Sequence, residues 1–239
     1  AFSVIVIDEC HRSAWARWSE VLKRNPDAVH IGLTATPRQL REGKRQTKSD
    51  AEITANNRAY FGDPVYEYTL IQAQEDGYLA ACEVVKLRPS IDKQTFTREQ
   101  VLANRPIDAR TGKYVKAEDL KAHYVAKDFD DDLLLPERIA VMCGDLFERL
   151  CQHGGPEQKV IIFCNRDIHA DRVAAQMQAL YAKWCKARGQ TPKDHYAFKC
   201  TDKGGAELIE TMRGSGERCF VACTVDLLAT GVDIERLNA

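Results

Sequence analysis

Two adjacent carboxylates follow directly after an apolar run near the start of the chain. The stretch is VIVIDECHRS, residues 4–13, in which four apolar residues precede Asp8 and Glu9. Because a buried strand avoids charge, charges at its end indicate that the strand carries them to a cleft. One carboxylate can hold Mg²⁺, usually through water, and the second can orient and deprotonate an attacking water in phosphoryl transfer. The alternative is that both carboxylates cap a helix that begins near Ser13.

A second group of polar residues follows the next predicted strand. The segment GLTATP begins 23 residues after Glu9 and brings Thr34 and Thr36 to the end of that strand. Ligands bind beyond the carboxyl ends of parallel strands, so both segments are expected at a common edge. His11 can exchange a hydrogen bond with either threonine hydroxyl and so link this edge to a neighbouring loop. Turn formation or helix capping is the alternative role of each threonine.

The apolar pattern predicts an α/β fold. Short β-branched runs alternate with segments of helical spacing, as in parallel sheets with right-handed crossovers, and the first strand should be fully buried. The predicted strands are residues 2–7, 28–33, 65–70, 82–87, 159–164 and 218–224, and the predicted helices are residues 14–24, 71–76, 137–150, 168–185 and 206–212. The pattern therefore predicts two domains, residues 1–87 and 136–239, joined by an insertion or linker at residues 88–135.

Composition is that of an ordinary globular protein and leaves the partners open. The 239 residues include 34 basic and 35 acidic ones, for a net charge of −1, so a polyanion would need a local basic groove. No apolar run approaches the ~20 residues of a membrane helix, and signal-peptide features are absent from the first residues, so we expect a cytoplasmic protein without membrane contact. The nine cysteines form no CxxC pair, which favours reduced, buried thiols.

Together these segments resemble a known class of motors. VIDECH and GLTATP resemble motifs II and III of superfamily-two helicases and translocases, and KVIIFCNRDIHADRV (159–173) and VACTVDLLATGVDI (221–234) resemble motifs IV and V. The segments YFGDPVYEYTLIQAQEDGYLA (60–80) and KDFDDDLLLPER (127–138) are similar to those of the motor subunit of type I restriction enzymes. The resemblance covers nearly the whole chain.

The resemblance implies two RecA-like parallel-sheet domains, both incomplete, with ATP and Mg²⁺ bound between them. Asp8 would hold Mg²⁺ through water, the contact that its strand-end position also suggests, and Glu9 would act as general base. His11, Thr34 and Thr36 would couple the nucleotide state to DNA movement. Gly231 and Asp233 would contact the nucleotide from the second domain.

The resemblance also implies contacts with the DNA backbone. Asn165 and Arg166 lie at the entrance to the helix after the motif IV strand, where phosphate contacts are common. Thr224 is the candidate hydroxyl of motif V. In the common DEAD-box form a threonine directly precedes the aspartate, whereas Val225 here separates Thr224 from Asp226.

Parts expected of such a motor do not occur in the sequence. It has no G-x-x-x-x-G-K-[ST] loop, no arginine-bearing motif VI after motif V, and no PD-(D/E)xK nuclease cluster. We therefore expect the chain to be a fragment that binds ATP poorly by itself and hydrolyses essentially none.

Three groups of side chains have a bland and a functional interpretation. A basic segment follows GLTATP and is either a DNA contact or a solvated loop within residues 38–57: Arg38, Arg41, Lys44, Arg45 and Lys48. An acidic cluster is expected at the solvated surface rather than at a metal site: Asp128, Asp130, Asp131 and Asp132. Four aromatic residues are expected to pack in the core rather than to stack on bases: Tyr60, Phe61, Tyr66 and Tyr68.

The sequence thus predicts part of an ATP-dependent double-stranded DNA translocase, the motor of a type I site-specific deoxyribonuclease. Its expected partners are DNA and the modification (methyltransferase) and specificity subunits. The alternatives are another superfamily-two DNA or RNA helicase and a non-catalytic nucleic-acid-binding relic. Retention of Asp8, Glu9, His11 and Gly231 argues against a relic, which would have little need of a hydrolytic pair.

Overall fold

The chain forms two compact units, Ala1–Val84 and Val85–Ala239. A computed structural model describes residues 2–10, 15–35, 60–86, 92, 95–214, 217–225, 228, 234 and 236–237. The predicted loop at residues 38–57, with its basic segment, therefore lies wholly outside the described residues. Among the described residues, no helix has both the length and the apolarity needed to cross a bilayer.

A parallel strand pair forms the centre of the first unit. Strand β1 (Val4–Ile7) pairs with β2 (Val29–Gly32), and helix α1 (Trp15–Arg24) connects them. Ile7, Cys10 and Leu22 are buried together on one side of the pair, with Phe61 packed against them. This strand–helix–strand order is the one that the sequence predicts.

The opposite face of this strand pair is exposed. Val4, Val6, Val29 and Ile31 are each more than a third accessible, so the prediction that the first strand is fully buried is wrong for the described residues. The side chains of a strand alternate between two faces. Only the face that carries Ile7 meets another described layer, and the other face has none over it.

Two predicted strands are absent from residues 62–86. Residues 65–69 are irregular, and helix α2 (Leu70–Glu75) starts at the end of that stretch. A capping box fixes its start, because Gln72 donates its backbone N–H to the Thr69 hydroxyl and accepts the Thr69 N–H on its side chain. Residues 82–86 are also irregular, and among the described residues no strand pairs with them.

The expected packing of the four aromatic residues is correct for only part of the set. Phe61 contributes to the core of the first unit, and its ring meets Tyr60 edge-on at 4.9 Å between centroids. Tyr66 and Tyr68 are exposed, because the strand that was expected to bury them does not form.

The segment between the two predicted domains is folded. Its short elements are β3 (Phe96–Thr97), α3 (Arg98–Ala103), β4 (Ile107–Asp108), β5 (His123–Tyr124) and β6 (Leu133–Leu134), with single 3₁₀ turns at Ala117–Asp119 and Ala126–Asp128. Strands β3 and β5 pair antiparallel, as do β4 and β6. Phe96, Tyr124 and Phe129 pack in a small core of their own, in which Tyr124 stacks on Phe129 and Phe96 meets Phe129 edge-on. Nothing tests the boundaries at residues 87 and 135, which stay predictions.

A three-stranded parallel sheet forms the core of the second unit. Its strands are β7 (Val160–Phe163), β8 (Ala197–Lys199) and β9 (Val221–Thr224), in the order β7-β9-β8. All four residues of the central strand β9 are buried. Helices α4 (Pro136–Gln152), α5 (Asp167–Lys186) and α6 (Glu207–Arg213) follow the predicted helices to within one or two residues at each end. Strand β8 is missing from the prediction, because three residues give too short an apolar pattern.

A tight turn after β8 requires glycine at position 205. Thr201 and Gly204 exchange two backbone hydrogen bonds, and the chain then returns over β8 with Gly205 at φ +86°. A Cβ on Gly205 would lie 1.7 Å from the carbonyl oxygen of Lys199. The turn therefore cannot accept a side chain without a backbone shift.

We predict that Gly205→Ala destabilises the chain by on the order of 3 kcal/mol, since both positive-φ strain and a backbone collision are introduced. Gly189→Ala is the matched control, because Gly189 has φ +66° but nothing within 4 Å of its Cβ position. It should cost about 1 kcal/mol. Urea unfolding followed by circular dichroism measures both, and equal losses would contradict the collision.

Candidate functional site

Backbone hydrogen bonds join the two polar segments of the first unit. The Leu33 N–H donates to the Ile7 carbonyl at 2.8 Å, and the Leu33 carbonyl accepts the Cys10 N–H at 3.0 Å. The turn at residues 8–10 is thereby held against the end of β2. Asp8, Glu9 and Thr34 therefore lie at one edge of the strand pair, as the sequence predicts.

The two carboxylates at this edge differ in environment. Asp8 is exposed, and its Oδ1 accepts the Glu9 N–H at 2.8 Å. Glu9 is half-buried and adopts φ +52°, a left-handed conformation that costs an L-residue about 1 kcal/mol. Such strain is concentrated at functional sites, because surrounding contacts must maintain it.

The donor set at this edge fits Mg²⁺ held mainly through water. Mg²⁺ prefers oxygen ligands, keeps several waters and takes one or two carboxylates from the protein. Asp8 offers an exposed carboxylate, whereas no group of three or more potential metal ligands occurs within the described part of the chain. Within the described residues, Mg²⁺ could therefore be held by the Asp8 carboxylate together with water, and not by protein ligands alone.

Several predicted residues lie outside the described part of the chain. His11 and Thr36 belong to this group in the first unit, and Gly231 and Asp233 in the second. Residues 11–14 are also outside it, so the alternative in which Asp8 and Glu9 cap helix α1 stays open.

The turn after β7 forms the second polar edge, at the carboxyl end of the larger sheet. Asn165 is exposed, and its N–H donates to Nδ1 of the buried His169 at 3.4 Å. Arg166 is the residue directly before α5 and keeps 36% of its side chain exposed. Its Nη2 pairs with Asp131 Oδ1 at 2.7 Å, and its Nε donates to the Asp131 carbonyl at 2.9 Å. Both predicted phosphate-contact residues therefore lie together at the surface, but the guanidinium already has an anionic partner.

The structure does not bring Thr224 to the surface with them. It is fully buried at the end of the central strand, and its hydroxyl oxygen has no hydrogen-bond partner among the described residues. Its backbone carbonyl accepts the Cys164 N–H and so ties β9 to the start of the Asn165–Arg166 turn. A contact between this hydroxyl and DNA would need the end of the strand to move outward.

A cation cluster at the same edge is absent from the sequence-based prediction. Asp167 accepts a hydrogen bond from the Thr201 hydroxyl at 2.6 Å and pairs with Lys199 at 3.2 Å and Lys203 at 3.7 Å. Burial raises the pKa of Asp167, but these partners outweigh it and hold the pKa below its usual value. The sequence signal that could have revealed this cluster is the pair Gly204-Gly205 after a short aromatic run, which marks a tight turn at a strand end.

The acidic cluster is only partly at the solvated surface. Asp131 and Asp132 are exposed, as predicted, whereas the Asp130 side chain is only 16% exposed and pairs with Arg138. The prediction is wrong for Asp130 because a buried guanidinium, which sequence spacing does not reveal, needs an anionic partner.

Three buried thiols lie in the core of the second unit. Burial raises the pKa of both Cys143 and Cys164 to about 12 and that of Cys223 above its usual value. These cysteines are therefore protonated near neutral pH and act as small apolar residues, and all nine cysteines of the chain are free thiols.

Known proteins match this sequence and fold. Residues 1–39 match a family described as type III restriction enzyme, res subunit. The chain is 32% identical over 238 residues to the type I restriction enzyme EcoAI endonuclease subunit of Escherichia coli, with 97% of this chain and 26% of that protein covered. It is 30% identical over 232 residues to the EcoKI endonuclease subunit of strain K12, with 87% of this chain and 16% of that protein covered.

The chain resembles a segment of the endonuclease subunit of type I restriction enzymes. This confirms the resemblance that motifs II to V predict. The chain spans about a quarter or less of the length of these two relatives.

A solved structure supports the fold. A fragment assigned to an HsdR subunit of a type I restriction enzyme from Vibrio vulnificus YJ016 matches with a TM-score of 0.54 and 24% identity, covering 98% of this chain and 35% of that one. At this identity the match concerns the fold, and it confirms the predicted α/β class with parallel sheets.

We predict that the stability of the chain falls as the pH is lowered from about 6.5 towards 5, because the fold holds the pKa of His169 below its ordinary value. Burial lowers the pKa of His169 from its ordinary value of 6.5, Asp130 opposes this shift and Arg138 adds to it. As the pH falls below 6.5, the unfolded chain therefore takes up this proton more readily than the folded chain, and folding loses free energy.

Urea unfolding at several pH values tests this prediction. His169→Gln keeps an acceptor for the Asn165 N–H and should flatten the slope between pH 6.5 and 5, above the range in which carboxylates titrate. His153→Gln, at an exposed position after α4, is the control and should keep the wild-type slope. An unchanged slope in His169→Gln would assign the pH dependence to other groups.

Proposed function

We propose that this chain is part of an ATP-driven translocase of double-stranded DNA, the motor of a type I restriction enzyme. The two Escherichia coli relatives are endonuclease subunits of such enzymes, and their matches extend over 87% or more of the chain. The match to a type III res subunit is confined to residues 1–39 and so favours a restriction motor without favouring type III. DNA cleavage would belong to residues outside this sequence.

At the site itself, the two backbone hydrogen bonds of Leu33 support the proposal. The paired backbone bonds of Leu33 with Ile7 and Cys10 hold the Asp8–Glu9 carboxylates beside Thr34. A motor must sense at one element what happens to the nucleotide at another. A rigid link between the carboxylate turn and the neighbouring strand end supplies a short mechanical path for that purpose.

In this proposal the carboxylates have separate tasks. Mg²⁺, when bound with ATP, neutralises charge on the phosphates. Asp8, exposed at the strand end, holds it through water. Glu9 accepts the proton of the attacking water, and its half-buried position limits how far the carboxylate can turn away. Thr34, with His11 and Thr36, passes the change to the rest of the motor.

The second unit supplies the remaining contacts of the proposal. Gly231 and Asp233 face the nucleotide, and Asn165 and Arg166 contact the phosphate backbone of DNA. Phosphate contacts fix position and carry no sequence information, so the recognition site would belong to a specificity subunit. The proposed assembly also includes a modification (methyltransferase) subunit, and the proposed compartment is the cytoplasm.

We predict that Glu9→Gln abolishes ATP hydrolysis and leaves ATP binding intact. The amide keeps the shape of the side chain but cannot accept the proton, a loss of at least ~10²-fold in rate. The host for the test is the EcoAI endonuclease subunit with its matching segment replaced by this chain. DNA-stimulated ATP hydrolysis is measured, together with binding of a fluorescent ATP analogue.

Glu20→Gln is the matched control, since Glu20 is an exposed residue of α1 that pairs with Arg24. It should hydrolyse ATP like the unmodified chimera. Turnover by Glu9→Gln equal to that of the control would contradict the general-base role. A folded chimera that binds DNA but never hydrolyses ATP would contradict the motor function as a whole.

A further inference from the structure

Three consecutive residues form an acidic strap at the edge of the larger sheet. The acidic strap is Asp130, Asp131 and Asp132, which lies between the 3₁₀ turn Ala126–Asp128 and strand β6. Its side chains have three different partners: Arg138, Arg166 and Arg110 respectively. Each strap carboxylate thus neutralises one guanidinium, and only the Asp131 partner is a proposed DNA-contact residue.

The first residue of the strap is fixed in the interior. Asp130 and Arg138 form an ion pair in which their side chains are 16% and 9% exposed, and Asp92 binds the same guanidinium at 2.7 Å. The backbone of Asp130 has φ +76°, and its N–H donates to the Leu133 carbonyl at 2.8 Å. Buried, multiply bonded charges do not exchange partners readily. The position of the strap is therefore set before any ligand binds.

The second residue of the strap lies on the guanidinium of Arg166. The Asp131 carboxylate pairs with Nη2 and the Asp131 carbonyl accepts from Nε, so one whole edge of the guanidinium is occupied. A phosphate binds an arginine in the same way, by accepting from two neighbouring N–H groups of the guanidinium. Asp131 and a DNA phosphate are therefore competitors for one set of donors.

The exposure of this pair makes it exchangeable. Arg166 is 36% and Asp131 63% exposed at the side chain. Exposed pairs of this kind contribute little to stability and weaken as salt rises. A phosphate with two or more further contacts nearby can displace such a carboxylate, whereas it could not displace Asp130.

We propose that Asp131 occupies the phosphate position on Arg166 in the free protein, and that DNA must displace it to bind there. Asp131 then limits the affinity of this edge for DNA without taking part in ATP chemistry. The proposal rests on the proposed function in one respect, namely that Arg166 contacts DNA.

The test compares charge-removing variants of this 239-residue chain. Asp131→Asn removes the charge but keeps an amide oxygen for Nη2, and the carbonyl bond to Nε is untouched. Asp132→Asn is the matched control, because Asp132 is the neighbouring exposed carboxylate (70% at the side chain) and pairs with Arg110. Arg166→Ala and the double variant Asp131→Asn/Arg166→Ala complete a double-mutant cycle. Binding of a short fluorescent DNA duplex is followed by anisotropy at low salt.

We expect Asp131→Asn to bind DNA about three-fold more tightly than wild type at about 50 mM salt, with a steeper decline as salt rises. Asp132→Asn should gain less than half as much. In the Arg166→Ala background the Asp131→Asn gain should fall to that of the control, because the contested donors are gone. Circular dichroism checks that every variant is folded.

The outcomes separate the two proposals. If Arg166→Ala weakens binding but Asp131→Asn gains no more than Asp132→Asn, the competition is wrong and the DNA contact of Arg166 stands. A loss of affinity in Asp131→Asn would likewise overturn the competition and make Asp131 a support for Arg166. If Arg166→Ala binds like wild type, or no variant binds DNA at low salt, the proposed contact itself fails.

Discussion

A guanidinium buried between two carboxylates ties the segment at residues 92–135 to the larger sheet unit. Arg138 is 9% exposed at its side chain and binds Asp92, 46 residues away, and Asp130, 8 residues away. Loss of either carboxylate would leave a buried charge poorly compensated, at a cost of about 3–5 kcal/mol. Burial lowers the pKa of Arg138, but the two carboxylates outweigh it and raise the pKa. The beginning of α4 and the position of the strap therefore depend on one three-membered charge group.

Much of the fold could be predicted because its main elements have local patterns. Strands β1, β2, β7 and β9 are short β-branched or apolar runs that end in polar residues, and α5 has apolar residues at helical spacing. The same runs place Asp8, Glu9 and Asn165 at strand ends, so the sequence alone locates these three side chains at the edges of their sheets. In the first unit, the backbone hydrogen bonds that join residues 7, 10 and 33 hold this edge together.

The remaining features depend on contacts between residues far apart in sequence. Strands β4 and β6 have two residues each and are defined only by their pairing with each other. Two residues are too few to show a strand periodicity in the sequence. The pairing of Asp131 with Arg166 joins residues 35 apart. Thr224 looks like a surface hydroxyl in motif V, but it is fully buried in β9, the central strand of its sheet. Its burial depends on tertiary packing, which single-sequence patterns do not give.

Ion pairing along the strap also explains why net charge says little about DNA binding here. The three strap carboxylates, and that of Asp128 just before the strap, each have a cation within 4 Å. The negative charge of this run is therefore largely cancelled before a ligand arrives. What differs among them is exposure, from 16% at Asp130 to 70% at Asp132. Water screens the exposed pairs and makes them exchangeable, whereas the buried pair of Arg138 with Asp130 is screened much less and keeps its partner. One acidic run can therefore serve both as an anchor and as a replaceable counter-ion, with a single peptide bond between the two roles.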